Sequence, residues 1–275
     1  MPTIQINGIN LFYDIKGVPD NESLLLIAGF IADISAWDAM MPSLVDRYQV
    51  IRFDNRGIGQ SSAPDKPYST KQMATDAVAL LDYLGISKVH LIGHAMGGQI
   101  AQEMALTYSE KVTSLILLSC WAKGNDKFHA LVETFGDLPS ALNRQLYWRV
   151  LLPWMFTEEF YSTPGAIEQI LSMFEKNPFP PTSHGIYHQS RAILDSDTSE
   201  RLKDIKSPTL AMVGRKDLVT PVQFSEQLAQ GIPNAEFVIL EQGGHAFVVE
   251  SADAVATGIL NFLTKQSTQQ LYFKN

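Results

Sequence analysis

Residues 93–98 read Gly93-His94-Ala95-Met96-Gly97-Gly98, between the apolar run Val89-His90-Leu91-Ile92 and an alanine-bearing segment of helical spacing that begins at Met96. A buried strand that enters a helix through so short a turn needs small residues where the two elements touch, and Gly93 and Gly97 supply them. The middle residue of such a turn is pushed out of the sheet. Where it is serine, its oxygen is presented as a nucleophile. Here position 95 carries a methyl group. The turn predicts a scaffold for serine chemistry that lacks its attacking atom.

The pattern extends in both directions from this turn. Residues 3–6 and 11–15 are β-rich and joined by Asn7-Gly8, which predicts a hairpin. Residues 24–28 and 48–53 read as buried strands. Ser69 and Gln72 have capping-box spacing, Met73, Ala77, Leu80, Leu81 and Leu84 follow on one helical face, and Gly85 ends that helix. A strand over 88–92, a helix over 96–108 and a strand over 113–119 come next. Such alternation predicts an α/β fold with a mostly parallel central sheet and helices on both faces. Residues 121–204 interrupt it with a stretch rich in Trp, Phe, Met and Pro that reads as helices and loops. Alternation resumes with a strand over 209–213, a helix over 222–230, a strand over 236–240 and a helix over 252–263. The expected organisation is a core of residues 1–120 and 205–264, a helical lid insertion over 121–204, and a flexible polar tail over 265–275.

Composition narrows the function classes. A chain of 275 residues with 45% hydrophobic and 18% charged residues can bury one sizeable core. The net charge of −8 gives no basic footprint for phosphate, so no nucleic-acid partner is expected. The longest apolar stretch, 24–34, is broken by Gly29 and Asp33, so no membrane span is expected, and the N-terminus lacks a signal-peptide pattern. Cys120 is the one cysteine, which excludes an intrachain disulfide. A buried, unreactive thiol in a cytoplasmic protein is the expectation.

Two further segments carry chemistry. Asp217 lies in Gly214-Arg215-Lys216-Asp217-Leu218-Val219-Thr220-Pro221, directly after a strand. His245 closes Gly243-Gly244-His245, after the next strand. A histidine that titrates near neutrality can take and return a proton at working pH, and an acid behind it fixes its tautomer. With position 95, these residues stand in the order nucleophile, acid, histidine. From about residue 10 to 263 the chain resembles the α/β-hydrolase superfamily of serine-hydrolase type. The resemblance implies an esterase-like hydrolase with a catalytic triad at Ala95 (the nucleophile position), Asp217 and His245. It also implies an oxyanion hole from the backbone N–H groups of Phe30 and Met96. Many members carry His-Gly where this chain has Ala28-Gly29. The loop Asp54-Asn55-Arg56-Gly57-Ile58-Gly59-Gln60-Ser61 matches a structural signature of the superfamily, with Asp54 and Arg56 as bracing charges. No cofactor is implied. His184 and His188 share i, i+4 spacing without a carboxylate or cysteine partner in sequence, so no metal is expected. The aromatics of the insertion suggest an apolar roof, with Trp121, Trp154 and Phe156 as pocket residues for a small molecule with an apolar portion.

Ala95 admits three readings. The protein is a hydrolase of esters, lactones or related acyl compounds, inactivated by alanine in place of serine. Alternatively, alanine is the working residue, as in the aminoacrylate hydrolases of the Rut pathway, which are similar here in a Gly-His-Ala elbow, an aspartate and a Gly-Gly-His loop. His245 and Asp217 would then activate water on an aminoacrylate or carbamate. In the third reading, the scaffold binds a small ligand without turning it over.

Overall fold

A computed structural model describes residues 2–272, with side chains through residue 267. Its centre is an eight-stranded sheet in the order β1-β2-β4-β3-β5-β6-β7-β8. The strands are β1 (Thr3–Ile6), β2 (Ile9–Gly17), β3 (Ser23–Ile27), β4 (Gln49–Phe53), β5 (Val89–His94), β6 (Val112–Leu118), β7 (Thr209–Gly214) and β8 (Glu236–Leu240). β1 and β2 form a hairpin, and β2 lies antiparallel to β4. The pairs from β4 through β3, β5, β6 and β7 to β8 are all parallel. Asn7 and Gly8 both adopt positive φ, +45° and +77°, as the tight turn between β1 and β2 requires.

Alternating side chains of the central strands feed two cores. Leu25, Leu91 and Leu115 face α2 (Thr70–Tyr83) and α3 (Met96–Thr107), following α1 (Met41–Val45) in the chain. Leu24, Leu26, Ile92 and Ile116 pack on the opposite face with Trp37, Val255 and Ile259. This period-2 division explains why the central strands read as continuous apolar runs, since both of their faces are covered. Ser69 caps α2 by accepting from the Gln72 N–H at 3.1 Å.

Between β6 and β7 the chain forms α4 (Asp126–Asp137), α5 (Arg144–Met155), α6 (Glu158–Ser162), α7 (Ala166–Lys176) and α8 (Ser183–Leu194). The ends of this segment meet in an antiparallel bridge between Lys123 and Asp197. Gln99 and Gln102 of α3 tie its base to the core: Gln99 donates to the Trp121 carbonyl and accepts from Ser196, and Gln102 accepts from Thr198. After β7 come α9 (Val222–Gly231), α10 (Phe247–Glu250) and α11 (Ala252–Tyr272). α11 runs longer than the helix the sequence reading ends at residue 263, continuing through Tyr272. Residues 264–272 contain neither Gly nor Pro and include several good helix formers, so the helix has no local reason to stop at 263. Residues 273–275 lie outside the described residues.

The β5–α3 turn is as tight as the sequence suggests. A Cβ on Gly97 would stand 2.0 Å from the Ile27 carbonyl oxygen, and one on Gly93 would stand 2.3 Å from that of Gly97. No larger residue fits either point without displacing backbone.

Candidate functional site

Ala95 occupies the β5–α3 turn with φ +50° and ψ −117°, outside the regions favoured by residues with a side chain. Such a conformation costs about 1–3 kcal/mol and persists where the surroundings impose it. The Ala95 N–H donates to the Leu118 carbonyl at 2.9 Å, and the Ala95 carbonyl accepts from Gly98 at 2.9 Å. The methyl is nearly buried and lines a cavity of about 580 Å³.

His245 lines the same cavity. Its Nδ1 lies 3.0 Å from Asp217 Oδ2 and 3.2 Å from Oδ1, and both residues are almost fully buried. A proton on Nδ1 satisfies that contact and leaves the Nε2 lone pair free to accept another. Asp217 is held from behind. Its Oδ1 accepts the N–H groups of Val219 at 2.9 Å and Thr220 at 2.8 Å. Its Oδ2 accepts the Thr220 hydroxyl at 2.8 Å. Burial alone would raise this carboxyl, but the facing His245 ring and the Thr220 donors outweigh it and hold the group below the usual carboxylate range. Thr220 is the residue that reading the motif overlooked. Its hydroxyl also lies 3.0 Å from the Ser119 carbonyl and 3.2 Å from His245 Nδ1. The signal was present in the sequence as a hydroxyl three residues after the aspartate.

Phe30 and Met96 also line the cavity. Among the described residues, neither backbone N–H has a protein acceptor. Both residues therefore belong to the same cavity lining as Ala95 and His245, each with a backbone N–H that has no protein partner among the described residues. The loop that carries Phe30 is braced from several sides. Asp54 accepts the N–H groups of Ile34 at 2.9 Å and Gln60 at 2.8 Å. Burial raises its carboxyl to about 6 despite those bonds. Arg56 instead forms a buried ion pair with Asp76 at 2.6 Å.

His94 reaches the loop that carries His245. Its Nε2 donates to the His245 backbone carbonyl at 2.9 Å, and the two rings lie 5.2 Å apart. Burial, with repulsion from His245, pushes its pKa down to about 3 from an ordinary 6.5. The ring therefore stays neutral in the folded protein where the unfolded chain would protonate. Between pH 6.5 and 3 the unfolded state binds the extra proton, so stability falls as the pH drops. His94→Gln preserves a donor and removes this titration. The wild-type urea midpoint is expected to fall relative to that of the variant between pH 6.5 and pH 4, in unfolding curves followed by circular dichroism.

The other residues singled out in the sequence divide. Trp121 and Phe156 line the cavity, but Trp154 does not. α5 turns Trp148, Leu151, Leu152 and Met155 towards the cavity at i, i+3, i+4 and i+7 spacing, and Trp154 falls off that stripe onto Phe135. Cys120 is buried, and its thiol is pushed up to about 12. His184 and His188 take separate partners: His184 meets the Ala63 carbonyl at 2.8 Å, and His188 meets Asp65 at 2.9 Å. Together they fasten α8 to the loop that precedes α2. Glu250 had no sequence signal. It accepts from the Gly244 N–H and from Thr157, so it joins the histidine loop to the start of α6.

A sequence profile of the α/β hydrolase fold matches residues 22–252. The chain belongs to the α/β hydrolase family. A relative from Azorhizobium caulinodans, whose name gives it as a proposed carbamate hydrolase, RutD, is 30% identical over 262 residues, covering 95% of this chain and 98% of the relative. The enol-lactonase of Burkholderia xenovorans LB400 superposes with a TM-score of 0.87 at 26% identity, over 96% of this chain and 100% of the other. A thermophilic esterase from Thermogutta terrifontis superposes with a TM-score of 0.84 at 27% identity, over 96% and 97% of the two chains. This α/β hydrolase therefore shares its scaffold with proteins named for carbamate, lactone and ester chemistry. Among its described residues, no helix is long and apolar enough to cross a membrane.

Proposed function

We propose that the protein hydrolyses a carbamate, or a related activated ester or lactone, by attack of water and without a covalent intermediate on position 95. The observation that carries this reading is the combination of the buried Asp217–His245 hydrogen bond, 3.0 Å, with a methyl at position 95 on the same cavity wall. Serine chemistry needs a hydroxyl that Ala95 lacks. His245 and Asp217 need only a water molecule. In the proposed step, a water oxygen bonds to the substrate carbonyl carbon while His245 Nε2 takes its proton. The N–H groups of Phe30 and Met96 receive the negative oxygen. Asp217 and Thr220 hold the imidazolium that results. Collapse breaks the bond to the amine or alcohol, which leaves with the proton returned from Nε2.

The substrate of this reading carries an apolar portion. A cavity of about 580 Å³ falls within the range that encloses drug-sized ligands. Its walls include Phe128, Phe135, Trp148, Phe156 and Phe174, which suit an aryl or medium-length alkyl group better than a small polar acid. Phenyl carbamate and p-nitrophenyl butyrate are the direct probes. The protein as it stands is expected to turn over at least one of them with no pre-steady-state burst, and hydrolysis of p-nitrophenyl butyrate in labelled water is expected to place one ¹⁸O atom in the butyrate. If both compounds raise the melting temperature by binding and neither yields product above the buffer rate, the scaffold binds a ligand and the hydrolase reading fails.

A further inference from the structure

We infer that Gln189, on α8 of the segment between β6 and β7, is a positioning residue for the Phe30 oxyanion donor. This rests on the hydrolase reading above. Phe30 sits inside the turn Gly29–Ala32, closed by the Ala32 N–H to the Gly29 carbonyl at 3.4 Å. The next residue, Ile31, has φ +58°. Turns with a positive φ at their third position normally place glycine there, and a β-branched residue resists that conformation. Left to itself, the turn would relax by returning Ile31 to negative φ, which rotates the peptide planes beside the Phe30 N–H.

Gln189 opposes that relaxation. It is fully buried, and its Oε1 accepts the Ile31 N–H at 3.0 Å. Its Nε2 donates to the Arg56 carbonyl at 2.9 Å, so the amide has one possible orientation and no freedom to rotate. Arg56 is itself fixed by the buried pair with Asp76. α8 is held against the same region by His184 and His188. The contact therefore runs from a rigid core loop, through one amide, to a strained residue adjacent to an unpaired N–H on the cavity wall. Glutamine supplies an acceptor and a donor at the right separation, and a hydrophobic residue of equal size supplies neither.

The test uses the full chain with p-nitrophenyl butyrate and phenyl carbamate as probes. Gln189→Met preserves shape and removes the acceptor. It is expected to lower kcat at least about tenfold with KM within about twofold of wild type, because a displaced donor weakens the transition state more than ground-state binding. Residue-resolved amide exchange is expected to show a protected Ile31 N–H in the wild type and its loss of protection in Gln189→Met. Gln189→Glu, held neutral by burial, retains an acceptor and a donor for the Arg56 carbonyl and is expected to keep kcat within about threefold. A role in folding alone would lower the melting temperature and leave kcat per folded molecule unchanged. A folded Gln189→Met with unaltered kcat, or an unprotected Ile31 N–H in the wild type, overturns the inference. If Gln189→Met does not fold, a tenfold loss in folded Gln189→Glu overturns it instead. A wild type inert on both probes counts against the hydrolase reading, and the exchange measurement then decides the Gln189 contact by itself.

Discussion

Replacing His245 with alanine is expected to lower kcat on phenyl carbamate or p-nitrophenyl butyrate by roughly 10²–10⁴-fold, the usual contribution of a positioned proton acceptor. The loss is expected mainly in kcat, because His245 meets the cavity beside the reacting position and most of the apolar wall is untouched. The residual rate should come from the Phe30 and Met96 N–H groups and from substrate binding. Asp217→Asn provides the companion measurement. An amide behind Nδ1 no longer selects the tautomer with a free Nε2, so a comparable loss is expected with both side chains still in place. If His245→Ala retains wild-type turnover in a folded protein, water activation by this imidazole is ruled out.

The second large effect runs the other way. Ala95→Ser is expected to raise p-nitrophenyl butyrate hydrolysis by on the order of 10²–10⁴-fold and to introduce a burst of p-nitrophenolate equal to the enzyme concentration. The ceiling is the roughly 10⁶-fold lost when subtilisin is deprived of its serine. The gain is set below that ceiling because the remaining groups surround a methyl and not a hydroxyl at position 95. The turn at position 95 has the conformation that presents a side chain to the cavity, and His245 lines that cavity with no hydrogen-bond partner for its Nε2 among the described residues. Stopped-flow absorbance measures the burst, and mass spectrometry of the quenched protein identifies a butyryl adduct at position 95. A folded Ala95→Ser that shows neither burst nor adduct on esters, lactones or thioesters would mean that the imidazole and the turn are not aligned for nucleophilic attack.

Much of the fold was legible because its signals are local. Period-2 and period-3.6 apolar patterns, the Asn7-Gly8 hairpin and the Ser69 cap depend on neighbours in the chain, and each recurs in the structure. The pairing of Asp217 with His245 was legible because each follows a strand that ends at the same edge of a parallel sheet. The remainder depends on contacts between distant residues. Gln189 meets Ile31 across 158 positions, and nothing around this glutamine on α8 marks it in the sequence. Glu250 is similar, a lone carboxylate whose partners are Thr157, at the start of α6, and Gly244, in the histidine loop. Trp154 shows the opposite error. Its size and apolar character were right for a cavity wall, but the angular position that decides its exposure depends on where α5 docks. The extension of α11 through Tyr272 shows that polar composition alone does not end a helix.

The positive φ at Ala95 has one more consequence. The unusual backbone there is imposed by β5, α3 and the crowded glycines beside them, so the same shape awaits whichever small residue is placed at that point. A methyl and a hydroxymethyl differ by one oxygen and ask for the same peptide geometry. Evolution could therefore cross between direct and two-stage hydrolysis on this framework without rebuilding it, by a change no larger than a single atom.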